Sequence, residues 1–264
     1  MPKFTTKDIQ RLRQATGAGM LDCKKALEEA DGDYDAALQN LRLKGLAGAA
    51  KRADREASEG AVTAVRLGDA AAVAELRCET DFVAKADDFV SLTDELAALV
   101  AAKGEDAVGQ LSEEIDRLRT TLKENISVGQ VRQLVAQPGQ VVDTYTHQQA
   151  GRGVNAVAVV LDGGNEELAH NIAVHIAFTK PAYLSRDEVP EADVAAERAT
   201  VAEISRNEGK PEAALEKIVD GRMNGWFKDR VLMDQSYVKD EKQTITGMLG
   251  SARIVSFAQV VIGA

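Results

Sequence analysis

Near residue 55 the spacing of apolar side chains changes period, and this change limits the folds open to the chain. Before it, apolar positions recur three and four residues apart, the repeat of a helix with one buried face. After it, apolar and polar residues alternate in short runs between longer helical stretches, the repeat of strands. A chain written this way is a helical module followed by an α+β core.

Thr5 or Thr6 can cap a first helix that carries Ile9 and Leu12 and stops at Gly17-Ala18-Gly19. Cys23, Ala26, Leu27 and Ala30 put one face on a second helix, which Asp31-Gly32-Asp33 breaks. Tyr34, Ala37, Leu38 and Leu41 do the same on a third. Residues 47–58 read as a linker with partial helicity. Beyond it, Ala61–Leu67 alternates and Gly68-Asp69 signals a hairpin, with Ala72, Ala74, Leu76 and Cys78 on one face of the returning strand. A helix over 86–102 carries Phe89, Thr93, Leu96, Ala97 and Val100 on one stripe, and residues 111–125 read as another. Val141–His147 is strand-like, and Val154–Leu161 is apolar throughout, as for a strand buried on both faces. Asp162-Gly163-Gly164 turns into a helix over 165–178. Strand, strand, helix thus occurs twice, which suggests a duplicated unit.

Residues 191–228 read as an antiparallel helical hairpin around Asn207-Glu208-Gly209-Lys210-Pro211, its second helix apolar at Leu215, Ile218, Met223 and Trp226. A short helix near 242–249 and a strand over Ala252–Ile262 close the chain. The expected units are 1–54, 55–139 and 140–264, the last with the hairpin inserted.

Charge and composition exclude several functions. Lys and Arg number 32 against 42 Asp and Glu, a net charge of −10. Nucleic acid and anionic membranes demand a cationic face, so neither is expected as a direct partner. Cys23 and Cys78 are the two cysteines, and no signal-peptide pattern opens the chain, which together indicate a reducing, cytoplasmic setting. No apolar run approaches the roughly 18 residues of a membrane span. The phosphate-cradling GxxxxGK[ST] loop, GxGxxG, HExxH, GxSxG and paired CxxC are all missing. His170 and His175 stand five apart, the wrong spacing for one helical face, so no metal site is expected. No catalytic residues and no cofactor are expected either. Cys78 with His175 stays open as a nucleophile pair in a small α+β enzyme, because such partners are distant in sequence. Missing catalytic signals shift weight to a binding protein.

Two segments stand out. In Cys78-Glu79-Thr80-Asp81-Phe82-Val83-Ala84-Lys85, Thr80 or Asp81 caps the next helix and Phe82 packs inward, or the acid and the ring form an exposed tip held by the sheet. In Thr16–Leu27, a glycine turn leads into a core helix, or Met20 marks an apolar turn that docks on another protein.

At these two segments the chain resembles the elongation factor Ts family. The order continues through Lys123-Glu124-Asn125-Ile126, His175-Ile176-Ala177 with Lys180-Pro181, Gly209-Lys210-Pro211, and Glu216-Lys217-Ile218-Val219 with Gly221-Arg222-Met223. The resemblance implies a ubiquitin-associated-like three-helix module, a core of two related subdomains and an inserted hairpin. It implies a guanine-nucleotide exchange factor that binds elongation factor Tu, GDP-bound and nucleotide-free. Thr80, Asp81, Phe82 and Val83 match the stretch that dislodges the partner's Mg²⁺, with Phe82 as the wedge. His175 matches a position that contacts the partner's body, and Leu12 and Met20 a docking surface. The hairpin is a candidate seam for a homodimer or a 2:2 complex. Two departures are Gln235-Ser236-Tyr237-Val238, where the family has Gln-Pro-Phe-Val, and Phe178-Thr179, where it more often has small residues. The competing expectation is an adaptor that binds a partner through the amino-terminal module without nucleotide exchange.

Overall fold

In the computed structural model, which describes residues 3–263, the chain begins with α1 (Thr6–Thr16), α2 (Met20–Glu29) and α3 (Tyr34–Ala50). Thr5 opens α1 through a capping box: its hydroxyl accepts the Asp8 amide, and the Asp8 carboxylate accepts the Thr5 amide at 2.7 Å. The apolar faces expected from the spacing meet in one cluster of Leu12, Cys23, Leu27, Ala37 and Leu41. α3 runs on to Ala50 and so takes up the first part of the partly helical linker.

β1 (Glu59–Leu67) and β2 (Ala70–Cys78) form a hairpin across Gly68-Asp69, followed by the single turn α4 (Asp81–Ala84) and by α5 (Asp87–Lys103). A 3-10 segment, Glu105–Leu111, leads to α6 (Ser112–Leu122), and β3 (Ser127–Val135) returns antiparallel to β2. β4 (Gln140–Gln149), β5 (Arg152–Asp162) and α7 (Glu166–Thr179) repeat the sequence of elements. An insertion follows, made of α8 (Glu191–Asn207), α9 (Glu212–Lys228), β6 (Ser236–Tyr237), β7 (Asp240–Thr244) and α10 (Ile245–Leu249). β8 (Arg253–Val261) then pairs with β5. In both three-stranded sheets the second strand is central. The architecture is α+β, and the repetition seen in the sequence is a ββαβ unit used twice.

The two sheets lie face to face, with Val62, Ala71 and Val73 against Ala156, Ala158 and Val160. α5 covers the outer face of the first sheet through Leu96 and Val100 on Ala72 and Ala74. α7 covers the second through Ile172 and Ile176 on Val157 and Val159. β2 and β5 are therefore buried on both faces: the expected face of Ala72, Ala74, Leu76 and Cys78 is buried, and so are Ala71 and Val73 on the other. Small residues let the sheets approach closely. A Cβ on Gly153 would stand 1.9 Å from the Val62 carbonyl oxygen. Beside it, the Thr146 hydroxyl accepts the Ala64 amide at 2.9 Å, and Arg152 donates to the Gly60 carbonyl at 2.7 Å and the Glu59 carboxylate at 2.8 Å.

β3 escaped the sequence reading for a physical reason. Ala74 pairs with Val131 but Leu76 with Val128, so β3 holds one extra residue. The bulge spaces Val128 and Val131, which share a face, three apart, and Leu134 lies on the other face, so the alternation of a strand is hidden. The Gln130 amide is accepted at 2.8 Å by the buried Glu75 carboxylate, and that carboxylate fills the space where a Gly129 side chain would go. The short β6 and β7 were likewise unanticipated, and the helix expected near 242–249 is confined to Ile245–Leu249. In α9 the buried stripe is Leu215, Val219, Met223 and Phe227, which corrects Ile218 and Trp226 by one position each. Val189, Val201 and Val231 pack on that stripe, so it is buried within the chain without a second copy.

Gly153→Ala is expected to lower stability in urea unfolding by about 3 kcal/mol, because the methyl forces the sheets apart. Gly221→Ala, whose Cβ meets nothing within 4 Å in α9, is expected to raise it by about 1 kcal/mol.

Candidate functional site

The turn from β2 into α5 is built from Glu79 to Lys85. Thr80 caps α4, its hydroxyl accepting the Val83 amide at 3.4 Å. The same hydroxyl donates to the Glu124 carboxylate, whose other oxygen accepts the amides of Glu79 and Thr80, each at 3.0 Å. In return the Glu79 carboxylate accepts the Asn125 amide at 2.7 Å, and the Asn125 side chain donates to the carbonyls of Ala53 and Arg55. Hydrogen bonds to an ionised acceptor are the stronger kind. The turn is thus laced to the segment after α6 and to the approach to β1.

Val83 packs on the cluster of Leu76, Cys78, Phe89 and Ile126, and Ala84 is buried in it. Between these anchors the Phe82 ring is 83% exposed. The capping role of Thr80 and the exposed ring therefore coexist, and the expectation that Phe82 packs inward is overturned. Asp81 is engaged rather than free. Its carboxylate meets the Lys85 ammonium at 2.6 Å, and that hydrogen bond, with smaller help from the charges of Lys85 and Arg152, holds its carboxyl below the usual range.

In the helical module, Met20 is 38% and Leu21 74% exposed on the first turn of α2. Leu12 is fully buried under α2 and α3. This corrects its assignment to a contact surface: Leu12 supports the surface that Met20 and Leu21 form. Leu21 was missed although it stands off the Cys23, Ala26 and Leu27 stripe, a position that on a helix faces outward.

His175 is also fully buried, on the inner face of α7, and the same correction applies. Its Nδ1 accepts the Val238 amide at 3.2 Å, so Nε2 carries the proton and donates to Gln235 Oε1 at 2.9 Å. Burial pushes its pKa down, and the bond to Gln235 opposes this in part. The departure at Gln235-Ser236-Tyr237-Val238 has a local role here. Gln235 and Val238 bracket His175, and the Tyr237 hydroxyl donates to Asn171 at 3.1 Å.

The nucleophile pair is not assembled. Cys78 lies in the cluster of Leu76 and Phe89, whereas His175 lies against Gln235, Val238 and Tyr237, and the Cys78 thiol contacts the Thr80 carbonyl at 3.2 Å. Burial, with the nearby Glu124 charge, pushes that thiol up to about 12, so it stays protonated. Among the described residues no three His, Cys, Asp or Glu side chains gather as a metal cage, and no helix is long and apolar enough to cross a membrane.

A family model described as elongation factor TS matches residues 79–264. Elongation factor Ts of Clavibacter michiganensis subsp. michiganensis is 44% identical over 278 aligned residues, covering 100% of both chains. Elongation factor Ts of Saccharopolyspora erythraea is 42% identical, covering 100% of this chain and 99% of that one. Elongation factor Ts of Mycobacterium marinum is 43% identical with the same coverage.

Because His175 is neutral in the fold with a depressed pKa, the unfolded chain binds its proton first as pH falls. Stability to urea is therefore expected to be independent of His175 above its ordinary value of 6.5 and to decline below it. In His175→Asn that decline is expected to flatten, although absolute stability is lower. An unchanged slope in the variant would remove His175 as its source.

Proposed function

The chain belongs to the elongation factor Ts family of translation elongation factors, nucleotide exchange factors for elongation factor Tu, and we propose that the turn Thr80–Val83 performs the exchange. The chain binds GDP-bound elongation factor Tu in the cytoplasm. Met20 and Leu21 of the module, read as residues 1–54, dock on the partner. The core, read as 55–139 and 140–264, presents Phe82 as a wedge beside the partner's nucleotide site. The exposed ring on a turn held by Glu124 is the observation that carries this reading. An exposed Phe is costly in water, and a rigid mount limits what ordering it costs on binding.

The chemistry requires no bond to be made or broken by this chain. Mg²⁺ bridges a bound nucleotide's phosphates to the GTPase, and loss of its coordination leaves their charge poorly compensated. A factor that favours the conformation with displaced Mg²⁺ accelerates GDP loss, and each tenfold change in nucleotide affinity requires about 1.4 kcal/mol of differential binding. By linkage, returning nucleotide weakens the factor's own hold by the same ratio, so GTP loading releases it. The chain needs no cofactor for this. Asp81, paired with Lys85, contributes a carboxylate that stays ionised near the partner's cation.

Release of fluorescent GDP from elongation factor Tu is expected to accelerate on adding this chain. A purely adaptor protein would bind without altering that rate. Phe82→Ala is expected to slow saturated release by about 30-fold, as for an aromatic hot spot, with the unfolding midpoint unchanged. Glu124→Ala is expected to slow it as well with Phe82 intact, since the ring loses its mount. Wild-type release rates in both variants would rule out the wedge.

A further inference from the structure

Phe178 is 73% exposed on the last turn of α7, yet the backbone carbonyls beside it are held by side-chain hydrogen bonds. The last carbonyls of a helix have no partner within it and commonly fray or turn to water. Here the Ala177 carbonyl accepts Asn155 Nδ2 at 2.6 Å, and the Ile176 carbonyl accepts Gln259 Nε2 at 3.2 Å. Gln259 also donates to Asn155 Oδ1 at 3.0 Å, which links the two ties. Lys180, left-handed at φ +50°, donates its amide to Ile176 at 2.8 Å and ends the helix. Asn155 is itself buried in β5. The buried Asn155 and the partly buried Gln259 are thus committed to fixing a helix end whose conspicuous exposed feature is an apolar ring.

That ring shares an end of the sheet sandwich with Phe82. Asn155 stands three residues from Arg152, about 10 Å along the strand. Arg152 binds Glu59, Glu59 pairs with Cys78, and the Thr80–Val83 turn follows directly. The field of Arg152 reaches Asp81. The start of β5 therefore carries both the tie to α7 and the bridge to β1, so the mounts of the two rings stand at one end of the sandwich, each held by side-chain hydrogen bonds. Rigid, exposed aromatics set on one surface are the features of interface anchors, since little motion is lost when they are buried.

We propose that Phe178 is a second anchor on the face that carries Phe82, seated in an apolar recess of elongation factor Tu. This inference rests on the reading of the Phe82 end as the partner-facing end. The two rings divide the work. Phe82 acts at the nucleotide site, and Phe178 supplies holding affinity.

The test measures affinity of the full chain for nucleotide-free elongation factor Tu by calorimetry, alongside fluorescent GDP release. Phe178→Ala is expected to raise Kd about tenfold or more, and to raise the concentration for half-maximal release more than it lowers the saturating rate. Phe82→Ala is expected to show the reverse split. Phe178→Leu, which keeps apolar bulk, is expected to recover most of the affinity. Unfolding midpoints report any loss of fold, which an exposed position is not expected to suffer. An unaltered Kd in Phe178→Ala, with Phe82→Ala impaired, overturns this inference alone. A lowered midpoint in Phe178→Ala, or altered self-association in sedimentation without partner, also overturns it, because the ring then serves this chain. Failure of the wild-type chain or of Phe82→Ala to behave as expected removes the wedge reading and this inference with it.

Discussion

The rest of the structure hangs on the backbone-to-backbone approach of the two sheets at Gly153 and Val62. Only a residue without a Cβ allows that contact. It brings the start of β1 against the start of β5, where Arg152 bridges Glu59 and Gly60. The bridge sets the end of β2, and hence the Thr80–Val83 turn, at the end of the sandwich where β5 begins. Alanines on the facing strands keep the sheets close along the rest of their length. The low aromatic content of the chain follows from this design, since large rings would prise the layers apart.

Once the layers are set, carboxylates do the finer positioning. Glu124 gathers two amides and a hydroxyl at the turn, and Glu79 reaches back to Asn125. Glu75 takes the amide that the bulge in β3 leaves over. Each acid satisfies backbone donors that the sheet ladders miss, so these irregular places are held about as firmly as the regular ones. The proposed wedge asks for this combination: an exposed aromatic on a mount held by hydrogen bonds. His175 answers a related need on α7. Neutral and doubly hydrogen-bonded, it ties the helix to the insertion through Gln235 and Val238.

Particular residues mark how far the chain could be read without its fold. Thr5 caps its helix where its sequence context says it should. Cys23, Ala26 and Leu27, and the apolar run Val154–Leu161, fall inside as their spacing requires. The prominence of Thr80–Val83 and of Met20 was also visible, as short polar-to-aromatic or glycine-to-apolar punctuation between elements. Misreadings arose where one residue carries two demands. Leu12 and His175 belong to motifs that suggest contact with a partner, but each lies on the buried stripe of its own helix. In α9, Val219 and Phe227 displace Ile218 and Trp226 because the seam follows the exact i, i+4 row.

By itself the sequence determined the order and type of most elements, the duplicated unit, the family and the two segments that stand out between elements. These depend on residues within a turn or two of each other, whose period is written along the chain. Tertiary structure alone decided that Glu124 mounts Phe82, that Gln235 accepts the His175 hydrogen bond, and that a bulge offsets β3. Those bonds join residues 45, 60 and 55 positions apart. Loop closure over such distances leaves no local period to read, because partner and register are selected only when the two sheets pack.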